Sequence, residues 1–183
     1  MILSKLKILL FLLILFINGC FNPLNLLLDP SHVSGIVKSR YGISNQLSYT
    51  HKYLNTSLKA LPLIITTGTF KNSGKTFSEI DFRVYNKKQL INYKYVELYN
   101  SKGEKWEWEI FPKHKNIKKE KHFFIESYKI RIDSQVSQLL KFFYDDAIYL
   151  KFIGDVNNFK RLDAKHRTSL IQVLKFAENL SKF

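Results

Sequence analysis

The chain has 183 residues, of which 29 are lysine or arginine, 15 are aspartate or glutamate and one is cysteine, and its formal net charge is +14. A single cysteine excludes an intrachain disulfide, and this length suits one domain and is barely enough for two. The basic charge favours acidic partners such as anionic lipid, sulfated glycans or acidic proteins. A lysine-rich composition from an AT-rich genome explains the same charge equally well.

The first twenty residues have the layout of an export signal. Two lysines form a short basic region, an uninterrupted apolar run follows over residues 8–16, and the small residue Gly19 lies directly before Cys20. The apolar run is too short to span a bilayer stably as a helix. The sequence therefore predicts a signal peptide over residues 1–19. The alternatives are an export signal beside an incidental cysteine and an uncleaved anchor helix. Export makes nucleic acid the least expected partner.

Residues 17–20 (Ile-Asn-Gly-Cys) resemble the lipobox of bacterial lipoproteins, with an aliphatic residue three positions before the cysteine and glycine directly before it. Asn18 departs from the commonest pattern and is similar to the looser lipoboxes of spirochaetes. The resemblance implies that the thiol of Cys20 is acylated, that the signal is cut before it and that the new amino terminus is acylated too. One acyl chain alone holds only marginally, whereas several would make the attachment effectively permanent.

Residues 20–43 are predicted to be a tether or arm that follows the lipidated cysteine. Prolines and glycines interrupt this stretch repeatedly, and its mostly apolar run at Leu24–Leu28 is suited to dock on the domain or to lie near the lipid. Over residues 44–60 the spacing of the leucines predicts a weak helix. A single globular domain is predicted over residues 44–183.

Beyond Leu61, apolar residues alternate with polar ones, as in strands that bury one face. The alternation predicts strands around residues 63–70, 80–84, 93–99, 106–110, 124–132 and 148–152. Turn residues occur at Asn72–Lys75, Asn100–Gly103 and Gly154-Asp155. Trp106 and Trp108 share one face of a strand and are expected in the core rather than in an exposed stacking platform.

Two helices are predicted late in the chain. Ser134 is the expected N-cap of a short helix that ends at Asp145-Asp146, and Asp163 is the expected N-cap of a last helix. The last helix carries one apolar stripe, formed by Leu170, Val173, Leu174, Ala177 and Leu180. It is therefore expected to pack on a sheet. The predicted fold class is α+β, a mainly antiparallel sheet or sandwich with these two late helices.

The sequence predicts no enzyme activity, no cofactor and no metal. Gly68–Thr76 resembles a phosphate loop, but five residues separate its glycines instead of four and a strand pattern follows, so a hairpin turn is predicted. No histidine lies three or four residues from another, as zinc motifs require, although a metal site assembled from distant residues stays open. The carboxylate pairs Glu107/Glu109 and Asp145/Asp146 are more simply a solvated strand face and a helix end than an acid and a base.

The densest basic run covers residues 113–122. Its lysines are the predicted ligand-binding group: Lys113, Lys115, Lys118, Lys119 and Lys121. As point charges they are suited to capture sulfate or carboxylate groups. A solvated loop between two strands is the simpler alternative.

The lipobox, the interrupted arm and a domain rich in Lys, Asn, Ile and Phe without a disulfide together resemble the small surface-antigen lipoproteins of Borrelia-type spirochaetes. The resemblance implies attachment to the membrane through palmitate-type acyl chains on Cys20, in the cell envelope and specifically the outer membrane. It also implies frequent display on the cell surface. The predicted function is a non-enzymatic binding or antigenic protein directed to an acidic host glycan or protein. The alternative is a periplasm-facing lipoprotein that acts in envelope assembly or structure.

Overall fold

The computed structural model describes residues 34–40, 44–55, 61–120 and 123–181, so the predicted signal peptide, Cys20 and Lys121 lie outside the described residues. The strands are β1 (Ile36–Lys38), β2 (Gln46–His51), β3 (Leu63–Phe70), β4 (Thr76–Asn86), β5 (Tyr95–Asn100), β6 (Lys105–Glu109), β7 (Asn116–Glu120), β8 (Phe123–Arg131), β9 (Ile148–Ile153) and β10 (Asn158–Arg161). The helices are α1 (Val136–Phe143) and α2 (Ala164–Leu180), and short 3-10 turns span Pro112–His114 and Asp133–Gln135. Within the described ranges, neither helix is both long and apolar enough to cross a membrane.

The strands form two antiparallel sheets. The larger has six strands in the order β1-β2-β3-β4-β8-β7, and the smaller has four in the order β10-β9-β5-β6. The register places Ile80 of β4 between Ile65 of β3 and Ile130 of β8, so apolar residues of equal parity meet across strands. The predicted hairpin at Gly68–Thr76 is confirmed, because these residues join the paired strands β3 and β4. The predicted α+β fold class is confirmed as well.

Both sheets and both helices contribute to one apolar core. The rings of Phe82 on β4 and Trp108 on β6 lie 5.1 Å apart and connect the two sheets. Trp108 is only 9% exposed and stacks on Trp106, with the ring centroids 5.7 Å apart. The expectation that the tryptophan pair belongs to the core is therefore confirmed.

Helix α2 packs on the six-stranded sheet, mainly against β2 and β3. The rings of Phe176 and Tyr49 form a T-shaped pair with their centroids 5.6 Å apart, and Nε2 of His166 lies 2.7 Å from the carbonyl oxygen of Leu63. The carboxylate of Asp163 accepts a hydrogen bond from the backbone N–H of His166 at 2.7 Å, which confirms the predicted N-cap. All residues of the predicted apolar stripe are buried.

Helix α1 begins two residues later than its predicted N-cap, Ser134. Ser134 lies in a 3-10 turn, and Gln135 occupies the N-cap position without a side-chain hydrogen bond, so the Ser134 prediction is wrong. The carboxylate of Asp133 accepts the backbone N–H of Ser78 at 2.6 Å. This long-range contact joins the turn to β4. It fixes the position of the turn, and therefore the start of the helix, without a local side-chain cap.

The predicted helix over residues 44–60 is wrong where the structure describes it, because residues 46–51 form β2. This strand pairs with β3 on one side and with β1 on the other, which satisfies its backbone groups. Its Tyr49 and Thr50 are residue types that favour strands, and they outweigh the leucine spacing. Strand β1 lies in the stretch predicted as an arm, so the sheet extends into that stretch.

The basic segment after Pro112, predicted as a loop, is largely regular. A 3-10 turn leads into β7, which is the edge strand of the six-stranded sheet, so the loop prediction is wrong for residues 116–120. Lysines suit such an edge, since their charge discourages pairing with a strand of another chain.

Candidate functional site

The structure separates the lysines of the predicted ligand-binding group. Lys113 is exposed in the 3-10 turn before β7. Lys118 and Lys119 are neighbours on β7 and therefore project from opposite faces of the sheet. Lys118 forms an ion pair with Glu120. The described lysines of the group therefore do not converge on one ligand.

Lys115 belongs to the interior. Its side chain is 3% exposed, and its ammonium donates hydrogen bonds to the carbonyl oxygen of Tyr93 at 2.7 Å and to Oε2 of Glu126 at 3.2 Å. The ammonium also lies 4.3 Å from the centroid of the Tyr93 ring. Glu126 is 2% exposed, and its Oε1 accepts the backbone N–H groups of Ile91 and Asn92. This buried pair ties β8 to the segments before β5 and β7, so Lys115 is not available at the surface.

A cavity of about 400 Å³ lies beside the start of β7. Its lining residues are His114, Asn116, Ser127, Tyr128 and Lys129. Asn116 is directly opposite Ser127 in the β7–β8 pair, and Lys129 is two residues beyond Ser127 on β8, so these three side chains share one face of the sheet. His114 lines the cavity from the 3-10 turn before β7. We call His114, Asn116, Ser127 and Lys129 the basic groove.

The basic groove brings hydrogen-bond donors together. The amide of Asn116, the hydroxyl of Ser127 and the ammonium of Lys129 all donate, and the exposed imidazole of His114 carries at least one N–H. Carboxylate and sulfate groups are bound by such convergent donors, most strongly where the donor is charged. The arrangement is therefore suited to hold an anionic group.

An ion pair on β4 sets the charge next to the groove. Arg83 is opposite Ser127 in the register, and Asp81 is opposite Lys129. The guanidinium of Arg83 donates two hydrogen bonds to Oδ2 of Asp81, from Nη2 at 2.5 Å and from Nε at 2.9 Å. Burial raises the pKa of the Asp81 carboxyl, and the cations Arg83 and Lys129 oppose that rise. The carboxylate of Asp81 therefore lies within the field of two cations, Arg83 and Lys129.

The two buried histidines, His51 and His166, have a structural role. Burial lowers the pKa of both His51 and His166, and His166 is held against the backbone of β3. Among the residues that the structure describes, no three side chains of the metal-binding types are grouped to hold an ion.

The two acidic pairs identified in the sequence differ in their surroundings, and neither forms an acid–base pair. Glu107 and Glu109 are exposed on β6. Asp145 is buried and accepts hydrogen bonds from the hydroxyl and the backbone N–H of Ser101, whereas the side chain of Asp146 is fully exposed. Asp145 therefore anchors the β5–β6 turn to the end of α1.

Sequence reasoning missed Asn116, Ser127 and Lys129 as site residues. The available signal was parity, because Ser127 and Lys129 alternate with the buried Tyr128 along one strand. Parity could not show which residues lie opposite them, since the segment that became β7 had the composition of a loop.

Comparison with known proteins gives no relative: no family model matches the chain, and no curated protein or solved structure matches it significantly. The resemblance to spirochaetal lipoproteins therefore stays a prediction that rests on residues 17–20 and on composition.

Proposed function

We propose that this protein is a lipid-anchored protein of the bacterial cell envelope, displayed on the cell surface, that binds an acidic host glycan or protein without catalysing a reaction. Acyl chains on Cys20 attach it to the outer membrane, as in spirochaetal surface antigens. The export signal and the lipobox-like residues 17–20 support the anchor. The basic groove supports the binding role.

The convergence of donors in the basic groove is the observation that carries the binding role. A cavity of about 400 Å³ accommodates a sulfate or carboxylate group together with part of the molecule that bears it. The mature chain, which loses Lys5 and Lys7 with the signal peptide, keeps a net charge of about +12. This charge adds long-range attraction, which raises the rate of association with an acidic partner and falls with added salt.

Retention of the full-length protein on immobilised heparin, a sulfated glycan, tests the groove. The triple variant Asn116→Ala, Ser127→Ala, Lys129→Gln is expected to bind at least about 50-fold more weakly and to elute at lower salt, because it loses a charged and two neutral hydrogen bonds. The matched control is Lys160→Gln, which removes one charge from an exposed position on β10. Elution of the triple variant together with this control would remove the groove from the proposal.

The exposed lysines of the predicted group are expected to steer rather than to hold the ligand. Replacing Lys113, Lys118 and Lys119 with Glu should slow association and flatten its salt dependence, with a smaller effect on dissociation, because charges outside the site of contact act mainly on encounter. Lys115 is left intact in this variant, since its ammonium is buried. Stopped-flow association with a heparin oligosaccharide measures the difference.

The anchor is tested separately. Mass spectrometry of the mature protein is expected to find acyl chains on Cys20, and Cys20→Ser is expected to leave the membrane fraction. Protease treatment of intact cells is expected to cleave the protein. Protection from the protease would support the alternative, a periplasm-facing lipoprotein in envelope assembly.

A further inference from the structure

Three aromatic side chains cluster on the outer face of the four-stranded sheet. Tyr99 on β5 and Tyr149 on β9 are directly opposite each other, with nearly parallel rings whose centroids lie 5.7 Å apart. The ring of Phe159 on β10 lies 6.0 Å from Tyr99 and 5.7 Å from Tyr149. We call Tyr99, Tyr149 and Phe159 the aromatic face.

The aromatic face points away from the core. Tyr99 and Tyr149 alternate along their strands with Leu98 and Leu150, both of which are fully buried. Phe159 is 54% exposed. Tyr99 and Tyr149 are half-buried beside it, and contiguous apolar surface of this kind commonly marks a binding surface.

Polar groups of both signs lie at one end of the aromatic face. The guanidinium of Arg161 lies 5.9 Å from the ring centroid of Tyr149, and Arg161 also lines a cavity of about 340 Å³ together with Asp146 and Asp163. The carboxylate of Asp146 is fully exposed and forms an ion pair with Arg167 at 3.7 Å, and its remaining lone pairs are able to accept hydrogen bonds from a ligand. The cavity therefore offers a donor and an acceptor next to stacked rings.

The charged residues beside the aromatic face are paired with one another. Glu97 is two residues from Tyr99 on β5, and its carboxylate pairs with Lys105 at 2.6 Å and with Lys151 at 3.6 Å. Lys105 also pairs with Glu107 at 2.7 Å. The aromatic face therefore differs from the basic groove, which favours anions. Its chemistry fits a ligand that is uncharged, has an apolar surface for the rings, and carries hydroxyls that both donate and accept.

We propose that the aromatic face binds a neutral oligosaccharide. The polarised C–H groups on one side of a pyranose ring pack on the negative faces of aromatic rings. The hydroxyls then reach Arg161 as donor and Asp146 as acceptor. A second copy of the chain is the competing occupant, and the sedimentation measurement below tests it.

Saturation-transfer NMR with maltohexaose, cellohexaose and chitohexaose tests this proposal. The full-length protein is kept in a polyoxyethylene detergent, because glycoside detergents would compete. At least one of these sugars is expected to show transfer, strongest at its ring C–H protons. Phe159→Ala is expected to lower the affinity about tenfold, whereas Phe111→Ala, at an equally exposed phenylalanine (50%) beyond the opposite edge strand β6, should leave it unchanged.

Arg161→Gln is expected to weaken binding of the same sugar as well, because the cavity loses its charged donor. The triple groove variant should bind it normally, and Phe159→Ala should be retained on heparin as the unmodified protein is, so the two sites are separable. The proposal is overturned if none of the three sugars shows transfer, or if Phe159→Ala binds as well as Phe111→Ala. It is equally overturned if sedimentation shows a dimer that Phe159→Ala dissociates and that excludes sugar.

Discussion

Replacing Lys115 with Met is expected to destabilise the domain by about 3 kcal/mol. The variant keeps an unbranched apolar stem but removes the ammonium, and it leaves the buried carboxylate of Glu126 without its cation. Removing one partner of a buried ion pair costs about 3–5 kcal/mol. The lower end applies here, because Glu126 still accepts the backbone N–H groups of Ile91 and Asn92, which continue to stabilise its charge.

Equilibrium unfolding in urea measures this change, and thermal unfolding provides a second readout. For a domain of this size, 1 kcal/mol corresponds to about 2–4 °C, so a fall in Tm of roughly 6–12 °C is expected. Lys118→Met is the matched control. Lys118 has a side chain that is 67% exposed and a surface ion pair, so its replacement should change the free energy of unfolding by less than about 0.5 kcal/mol.

The reasoning is refuted if Lys115→Met and Lys118→Met unfold at the same urea concentration. In that case the ammonium of Lys115 would be as well solvated as that of Lys118. Lys115 would then rejoin the exposed lysines of the predicted ligand-binding group.

Three further predictions concern stability. Burial lowers the pKa of His166 below its ordinary value of 6.5. As the pH drops below 6.5, His166 is therefore protonated in the unfolded chain before it is protonated in the folded one, and the free energy of unfolding should fall. Urea midpoints at about pH 7.5 and about pH 5.5 measure the fall, and an equally large fall in His166→Gln would contradict this assignment. Gly68→Ala should cost up to about 3 kcal/mol in urea unfolding, because a Cβ there would collide with the carbonyl oxygen of Leu47; unchanged stability would show that β2 shifts freely. Asp163→Ala should cost about 1 kcal/mol in thermal unfolding by removing the N-cap of α2, and Asp163→Asn should recover most of the loss.

The elements with a strong local signal could be predicted from the sequence. The alternation around Ile80 and the capped, striped helix after Asp163 led to the correct element types and turns. The errors fell where a distant contact outweighed the local pattern. Strand β2 depends on pairing with β3, and the start of α1 depends on the bond from Ser78 to Asp133.

The candidate sites were less accessible to prediction. Lys115 and Lys118 are indistinguishable in a basic run, yet one ammonium is buried against Glu126 and the other is in solvent. Neither the groove beside Ser127 nor the cluster around Phe159 is contiguous in the chain, since each joins side chains from different strands.

By itself, the sequence determined which residues share a face, since a period of two or of 3.6 is a local property of the backbone. It also determined that strands dominate and that two helices come late. Only the tertiary structure decided the order of the strands, their division into two sheets, and which face of each sheet is covered. The reason is physical: a face becomes core, groove or exposed surface according to what packs on it, and those partners are brought together by contacts between residues far apart in the chain.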